Sequence, residues 1–361
     1  MSSKKKHISF RFVLNLLAVL ICSVVIIYFI FSNNGLRDLL SSDIKFNFYW
    51  LFGALICHIL NMLCDIYLIY RYIRSQYKNF RFSDAVKTGL LGQFWGAVTP
   101  SSTGGQPMQI YYLSKFGISP GYSTSRLIQK FLVYQIVMTC LSGVAVGVNF
   151  NVFSQMINSS ASVIFVLVGF SSQLIVSALF VIFSFSTRLT GGIINLLSKI
   201  LSKLKFIKNS DEIIISLKKQ TEVFHSSNKT VYKDKKLFFQ SIIVTTLQLL
   251  AIFTVPYCVY RGFGLSGASV FDMICGQSYV NLISGMMPIP GASGAAELGF
   301  VTLFSLFFTG ETIKSATLVW RAITYYFTIL ISVPFAYLGK DKKQDKAEEI
   351  SEGTKAPTEQ P

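Results

Sequence analysis

The stretch AVTPSSTGGQP, Ala97 to Pro107, interrupts a chain that is apolar on either side of it. Two prolines, two glycines and four hydroxyl residues (Thr99, Ser101, Ser102, Thr103) fall within these eleven positions. Proline removes a backbone donor and glycine raises the entropic cost of a helix, so no helix continues comfortably through such a segment. What the break means depends on the solvent around it. Of 361 residues, 52% are hydrophobic and 14% charged, and the mean hydropathy is +0.51. A soluble domain carries roughly a quarter charged residues. The apolar blocks also match a bilayer in length. Phe12 to Phe31 is 20 residues without a charge, and at about 1.5 Å per residue such a run crosses roughly 30 Å of hydrocarbon. The chain reads as an all-α integral membrane protein.

Six full spans follow from the pattern, at 12–31, 48–70, 126–148, 163–185, 238–260 and 315–338. Two further apolar stretches, 84–116 and 270–309, are each broken in the middle. The first block exceeds the apolar core of a cleaved signal peptide, about 7–15 residues, and no small-residue cleavage site follows it. It is read as an uncleaved span behind a basic N-terminus, 1–11. Loop charge sets the orientation. Lys4, Lys5, Lys6 and Arg11 precede the first span, and Arg71, Arg74, Lys78, Arg81 and Lys87 follow the second. The loop at 149–162 has no charge, whereas 186–236 holds eleven Lys/Arg against four acids. Basic and neutral loops alternate if both termini are cytoplasmic, which places a multi-pass protein in the cell membrane. The +16 net charge then reflects positive-inside bias and calls for no nucleic acid. Within the basic loop, GGIINLLSKILSKLKFIK (191–208) gathers its apolar residues on one helical face. It suits a helix on an anionic leaflet or one packed on the protein's own surface. Residues 339–361 read as a charged, disordered tail. The six cysteines lie in apolar stretches without metal-type pairing and read as small reduced hydrophobes; no cofactor is expected.

The break occurs twice. Setting Pro100 on Pro290 aligns P-S-S-T-G-G with P-G-A-S-G-A. Upstream, Phe82-Ser-Asp84 answers Phe271-Asp272, and each copy follows a full span ending in arginine, Arg71 or Arg261. Downstream, each is followed by another span with an arginine near its start, Arg126 or Arg321. Given the loop charges, one copy (48–148) has its break on the cytoplasmic side and the other (238–338) on the outside. Span, broken hairpin, span, repeated with opposite topology, is the signature of an inverted-repeat transporter.

Unsatisfied backbone in lipid costs several kcal/mol per group, so non-helical chain survives there only inside protein or against water. A re-entrant helical hairpin turning on Pro and Gly fits the arm lengths. Helix N-termini meeting at depth would offer backbone N–H groups, positive dipole ends and hydroxyls to an anion. The candidate binding residues are therefore Thr99, Pro100, Ser102, Thr103, Gly104, Gly105 and Gln106 in the first break, with Pro290, Ser293, Gly294 and Glu297 in the second. Arg126, Lys130, Arg321 and Tyr325 join them from the spans that follow, as ionisable or polar groups at membrane depth. For the arginines the alternative is snorkelling to the interface. His58, Asn61 and Asp65 share a stripe of the second span, read as a structural polar cluster, with a proton-linked role as the alternative.

TPSSTGGQPMQIYYL (99–113) and PIPGASGAAELGF (288–300) resemble the paired signatures of the lysylphosphatidylglycerol synthase transmembrane, flippase-like family, over roughly 12–338. In many relatives the first motif reads T-P-G-R-x-G-E; here Ser101, Ser102 and Gly105 stand in place of Gly, Arg and Glu, so the headgroup carried can differ. The resemblance implies movement of aminoacylated phosphatidylglycerol, or a related anionic phospholipid, between leaflets. In bifunctional members a separate cytosolic domain transfers lysine to phosphatidylglycerol. No counterpart is expected after the last span here, so lysyltransferase activity is not expected of this polypeptide alone. No GxxxxGK[ST] loop occurs, so active transport would use an ion gradient or a partner. A lipid-modifying enzyme or its membrane subunit, a carrier of polyprenyl-phosphate glycans or glycolipids, and a non-transporting scaffold are the alternatives. A homo-oligomer or a soluble transferase bound to the basic loop would be compatible partners.

Overall fold

In the computed structural model the described residues are 46–149, 154, 160–192, 195, 210–231, 234–284, 291–292, 294–308, 310 and 312–338. The expected first span, the N-terminus, most of the amphipathic segment and the tail lie outside them. Among the described residues the secondary structure is helical. Long α1 (Phe48–Arg74) is followed by short α2 (Phe82–Val98) and α3 (Gly105–Lys115), then long α4 (Pro120–Val148). After α5 (Ser160–Phe185) and α6 (Ser210–Val231) the order recurs. Long α7 (Lys235–Gly262) leads to short α8 (Val270–Ser284) and α9 (Ala295–Phe304), then α10 (Thr312–Arg321), a π-turn (Ala322–Tyr326) and α11 (Phe327–Leu338). Among the described residues four stretches are long and apolar enough to cross a membrane: α1, α4, α7 and the Thr312–Phe335 run. These coincide with four of the six expected spans, and α5 covers a fifth.

The boundaries have local causes. Asn47 caps α1 by accepting from Tyr49 N at 3.2 Å, and Asp234 caps α7 by accepting from Leu237 N at 3.0 Å; both satisfy donors that a helix start leaves open. Pro120 begins α4, where the missing N–H costs nothing. The start of α4 is held from outside its own sequence. The side-chain Oε1 of Gln220 on α6 accepts from Ser119 Oγ and from Gly121 N, each at 2.9 Å. Asn228, two turns further along α6, accepts from Ser125 Oγ at 2.5 Å and Gln129 Nε2 at 3.0 Å. Phe224 between them packs on Ile128 and Leu132. The basic loop at 186–236 thus contains a docked helix, a feature that its charge count does not show.

Helices α1 and α7 run antiparallel. Asn47 N donates to Gly262 O at 2.8 Å at one end, and Tyr72 OH donates to Ser241 Oγ at 3.1 Å at the other. Each hairpin has a core of its own. Ile66, Ile69, Leu90, Leu113 and Leu127 pack the first; Phe253, Met273, Phe300, Phe304 and Trp320 pack the second. The outer surface is apolar, with Phe52, Ile243 and Leu330 between 64% and 72% exposed, while Gln129, Gln135, Gln248 and Gln277 are buried. That is the distribution expected where the surrounding solvent is lipid and the polar groups must find partners inside.

Candidate functional site

The two breaks share a backbone as well as a sequence pattern. Ser101 and Ser102 have φ of 49° and 55°, and the aligned Gly291 and Ala292 have 62° and 49°. In the same register, 190 residues apart (291 − 101), Gly104 and Gly294 are the N-caps of α3 and α9. Among the described residues, Ser101, Ser102 and Ala292 are the side-chain-bearing ones with positive φ. Such a conformation costs about 1–3 kcal/mol and persists only where the surroundings enforce it.

At the first tip much of the hydrogen bonding is internal. Thr99 Oγ1 donates to Trp95 O at 2.6 Å and accepts from Gly104 N at 2.8 Å. Thr103 Oγ1 donates to Pro100 O at 2.9 Å. Pro100, Ser101, Ser102 and Thr103 are exposed, and Gly104 and Gln106 are half-buried. Gly105 is buried where the arms cross: a methyl group there would lie 2.8 Å from Gly92 O. Buried Gln109, which the sequence pattern did not single out, lays its amide over Gly92.

At the second tip Pro290 and Ser293 lie outside the described residues. Gly294 N donates to Glu297 Oε2 at 2.7 Å, so the anion at the start of α9 is the helix's own third residue. Glu297 also receives Arg321, whose Nε donates to Oε1 at 2.8 Å and Nη2 to Oε2 at 3.0 Å. Nη2 reaches Gly291 O at 3.1 Å as well. The guanidinium lies 5.1 Å from the Trp320 ring centre and 5.4 Å from that of Tyr325. Buried, bidentate and stacked, Arg321 is neutralised inside the protein; it does not snorkel.

Tyr325, in the π-turn one helical turn beyond, connects the two breaks. Its hydroxyl donates to Ala97 O, at the end of α2, at 3.1 Å. Its ring packs so closely on Gly291 that a methyl group there would lie 2.4 Å from it. One side chain therefore closes on both tips. Phe94, Ala97 and Ile329 pack around this contact. The π-turn that presents Tyr325 has a wider spacing than an α-helix, a feature frequent at functional positions and invisible to a 3.6-residue period.

Arg126 and Lys130 part company. Lys130 Nζ pairs with Asp65 of α1 at 2.5 Å. Arg126 is 5% exposed, stacks 4.8 Å from the Tyr122 ring centre and has a single long bond from Nη1 to Gln129 Oε1 at 3.5 Å. Among the described residues its Nε is buried without a partner. The stripe on α1 divides in the same way: Asp65 faces α4, whereas His58 meets Thr328 of α11.

A family model described as the lysylphosphatidylglycerol synthase TM region matches residues 15–332. A UPF0104 membrane protein of Archaeoglobus fulgidus is 21% identical over 272 residues, which cover 73% of this chain and 80% of that protein.

Proposed function

As this chain belongs to the lysylphosphatidylglycerol synthase transmembrane family, we propose that it is a lipid translocase, moving an anionic or aminoacylated phospholipid between the leaflets of the cell membrane. The observation that carries this reading is the closure of two matched, strained breaks on one side chain, Tyr325. On this reading the short-helix pairs α2–α3 and α8–α9 are re-entrant and their tips meet near the bilayer centre. The antiparallel packing of α1 on α7, the leading long helices of the two repeats, supports the inverted relation. Both termini then face the cytoplasm.

Family relatives that differ in the first motif would differ in headgroup, and the exposed Ser101 and Ser102 stand where that difference lies. The headgroup phosphate is assigned to Arg126, which among the described residues has no carboxylate bonded to it and an unused donor. Arg321 and Glu297 instead hold the second tip in shape, and Lys130 is neutralised by Asp65.

The test is translocation by purified protein in liposomes. Headgroup-labelled phosphatidylglycerol or lysylphosphatidylglycerol is placed in one leaflet and its accessibility from the other side is followed. Faster crossing than in protein-free liposomes, reduced in Arg126→Gln, is the expected result. Crossing of neither lipid above the protein-free rate, by folded protein, would overturn the reading.

A further inference from the structure

His58 lies along the middle of α1 and is 3% exposed. Its Nε2 stands 2.8 Å from Thr328 Oγ1. That hydroxyl already donates its single proton to Thr324 O, one turn back, at 3.0 Å. A hydroxyl whose proton is committed can only accept, so the hydrogen between the two residues belongs to His58 Nε2. With Nε2 as the donor, a neutral ring leaves Nδ1 as the bare lone pair. Among the described residues Nδ1 is buried with no hydrogen-bond partner. Buried acceptors are nearly always paired, and an ionisable group within a membrane span is functional by default.

The position of this lone pair gives it leverage. Thr324 belongs to the π-turn and Thr328 follows it directly. The same turn carries Tyr325, which closes on both hairpin tips. Phe327, edge-on to the imidazole at 6.0 Å, completes the contact with α11.

The other ionisable groups on the helices around α1 have their own places. On α1 itself, Asp65 is paired with Lys130 of α4, and Cys57 is hydrogen-bonded to Cys258 of α7. Arg321, at the start of the π-turn, is held by Glu297, with Tyr325 and Tyr326 beside it in the turn. On α4, Arg126 stacks on Tyr122, and Tyr134 is half-buried against the second core. On α2, Asp84 pairs with Arg81 and Lys87 follows in the next turn. At the two ends of α7, Asp234 caps the helix beside Lys235 and Lys236, and Arg261 stacks over Trp50.

We propose that His58 Nδ1 is a proton-binding site that couples proton uptake to the opening of the two hairpin tips, which would make translocation pH-dependent. In the closed arrangement an Nδ1–H would have no acceptor, and the imidazolium would stand unpaired in the interior. The proton therefore binds when the π-turn moves away and water or a headgroup oxygen reaches the ring, and closure expels it. Acidification favours the open form and alkaline conditions the closed one, by at most about tenfold per pH unit for one linked proton. The proposal rests on the translocase reading for its cargo, but pH-linked opening can be measured without any lipid moving.

The experiment uses the full chain in lipid nanodiscs, with wild type beside His58→Gln, whose amide still donates to Thr328 and does not titrate. Nitrogen-15 spectra of labelled histidine follow the ring between about pH 5 and 8, where an imidazole ordinarily changes charge. Spin labels on Tyr111→Cys and Leu330→Cys, both exposed, with the native cysteines replaced, follow the separation of α3 from α11. Protonation of His58 on acidification, with a growing long-distance population that is absent in His58→Gln, is expected. A ring that stays neutral throughout, or a distance change that persists in His58→Gln, overturns the proposal. If His58-dependent opening occurs but no lipid crosses in the liposome assay, the proton site stands and the translocase reading falls.

Discussion

At the residue scale the site rests on a charge pair whose two members were both visible in the sequence but whose pairing was not. Arg321 and Glu297 are 24 positions apart, and nothing in local periodicity brings them together. From the sequence Arg321 stood as a candidate for the headgroup; in the fold it is bound on two sides by Glu297, which also caps its own helix. Removing one partner of such a buried pair leaves the other uncompensated, so Arg321→Gln and Glu297→Gln are each expected to destabilise the protein by about 3–5 kcal/mol. The double substitution should cost less than the sum, by the energy of the pair itself. Thermal unfolding in detergent of the four proteins of the cycle checks this; additive costs would show that the pair contributes nothing as a pair. The reverse lesson comes from Arg126 and Lys130. Spaced i, i+4, they share a helical face in sequence, yet one meets Asp65 and the other Tyr122 and Gln129.

At the scale of elements the sequence was most informative. Proline, glycine and hydroxyl residues placed two breaks, and each break lies between short helices flanked by long ones. The matched left-handed pairs at 101–102 and 291–292 follow from the alignment of Pro100 with Pro290. What the pattern could not carry is the π-turn, which has no compositional marker, and α6, whose helix was obscured by the net charge of its loop. Gly105 fixes the hairpin geometry, and Gly143 supplies the contrast. Gly105→Ala would set a methyl group 2.8 Å from the Gly92 carbonyl oxygen and force the arms apart, an overpacking cost of about 1–3 kcal/mol. Gly143→Ala, in α4 with nothing within 4 Å, should instead stabilise by up to about 1 kcal/mol through helix propensity. Melting temperatures that move in opposite directions would bear out the close crossing of α2 and α3. A second element-level expectation concerns α6. Gln220→Ala removes the acceptor at the start of α4, with a cost of about 1 kcal/mol, and should expose α6 to limited proteolysis without altering α8 or α9.

For the whole molecule, composition and loop charge identified the solvent as lipid, and the apolar exterior with its buried amides agrees with that. The relation between the two halves rests on contacts distant in sequence: Asn47 with Gly262, Tyr72 with Ser241, and Tyr325 with Ala97. None of these has a sequence signal, because each depends on how two helices pack and not on the period of either. If lipid crosses between the hairpins, the tips must separate, and tying them together blocks the path. Cysteines at Ala97 and Tyr325, in a chain without its native cysteines, are joined by a short thiol-cleavable linker. The crossing of labelled phosphatidylglycerol or lysylphosphatidylglycerol is then timed in liposomes before linking, after linking and after cleavage. Crossing that stops with the link in place and resumes when it is cut is the predicted result. Crossing at an unchanged rate through the linked protein would contradict it.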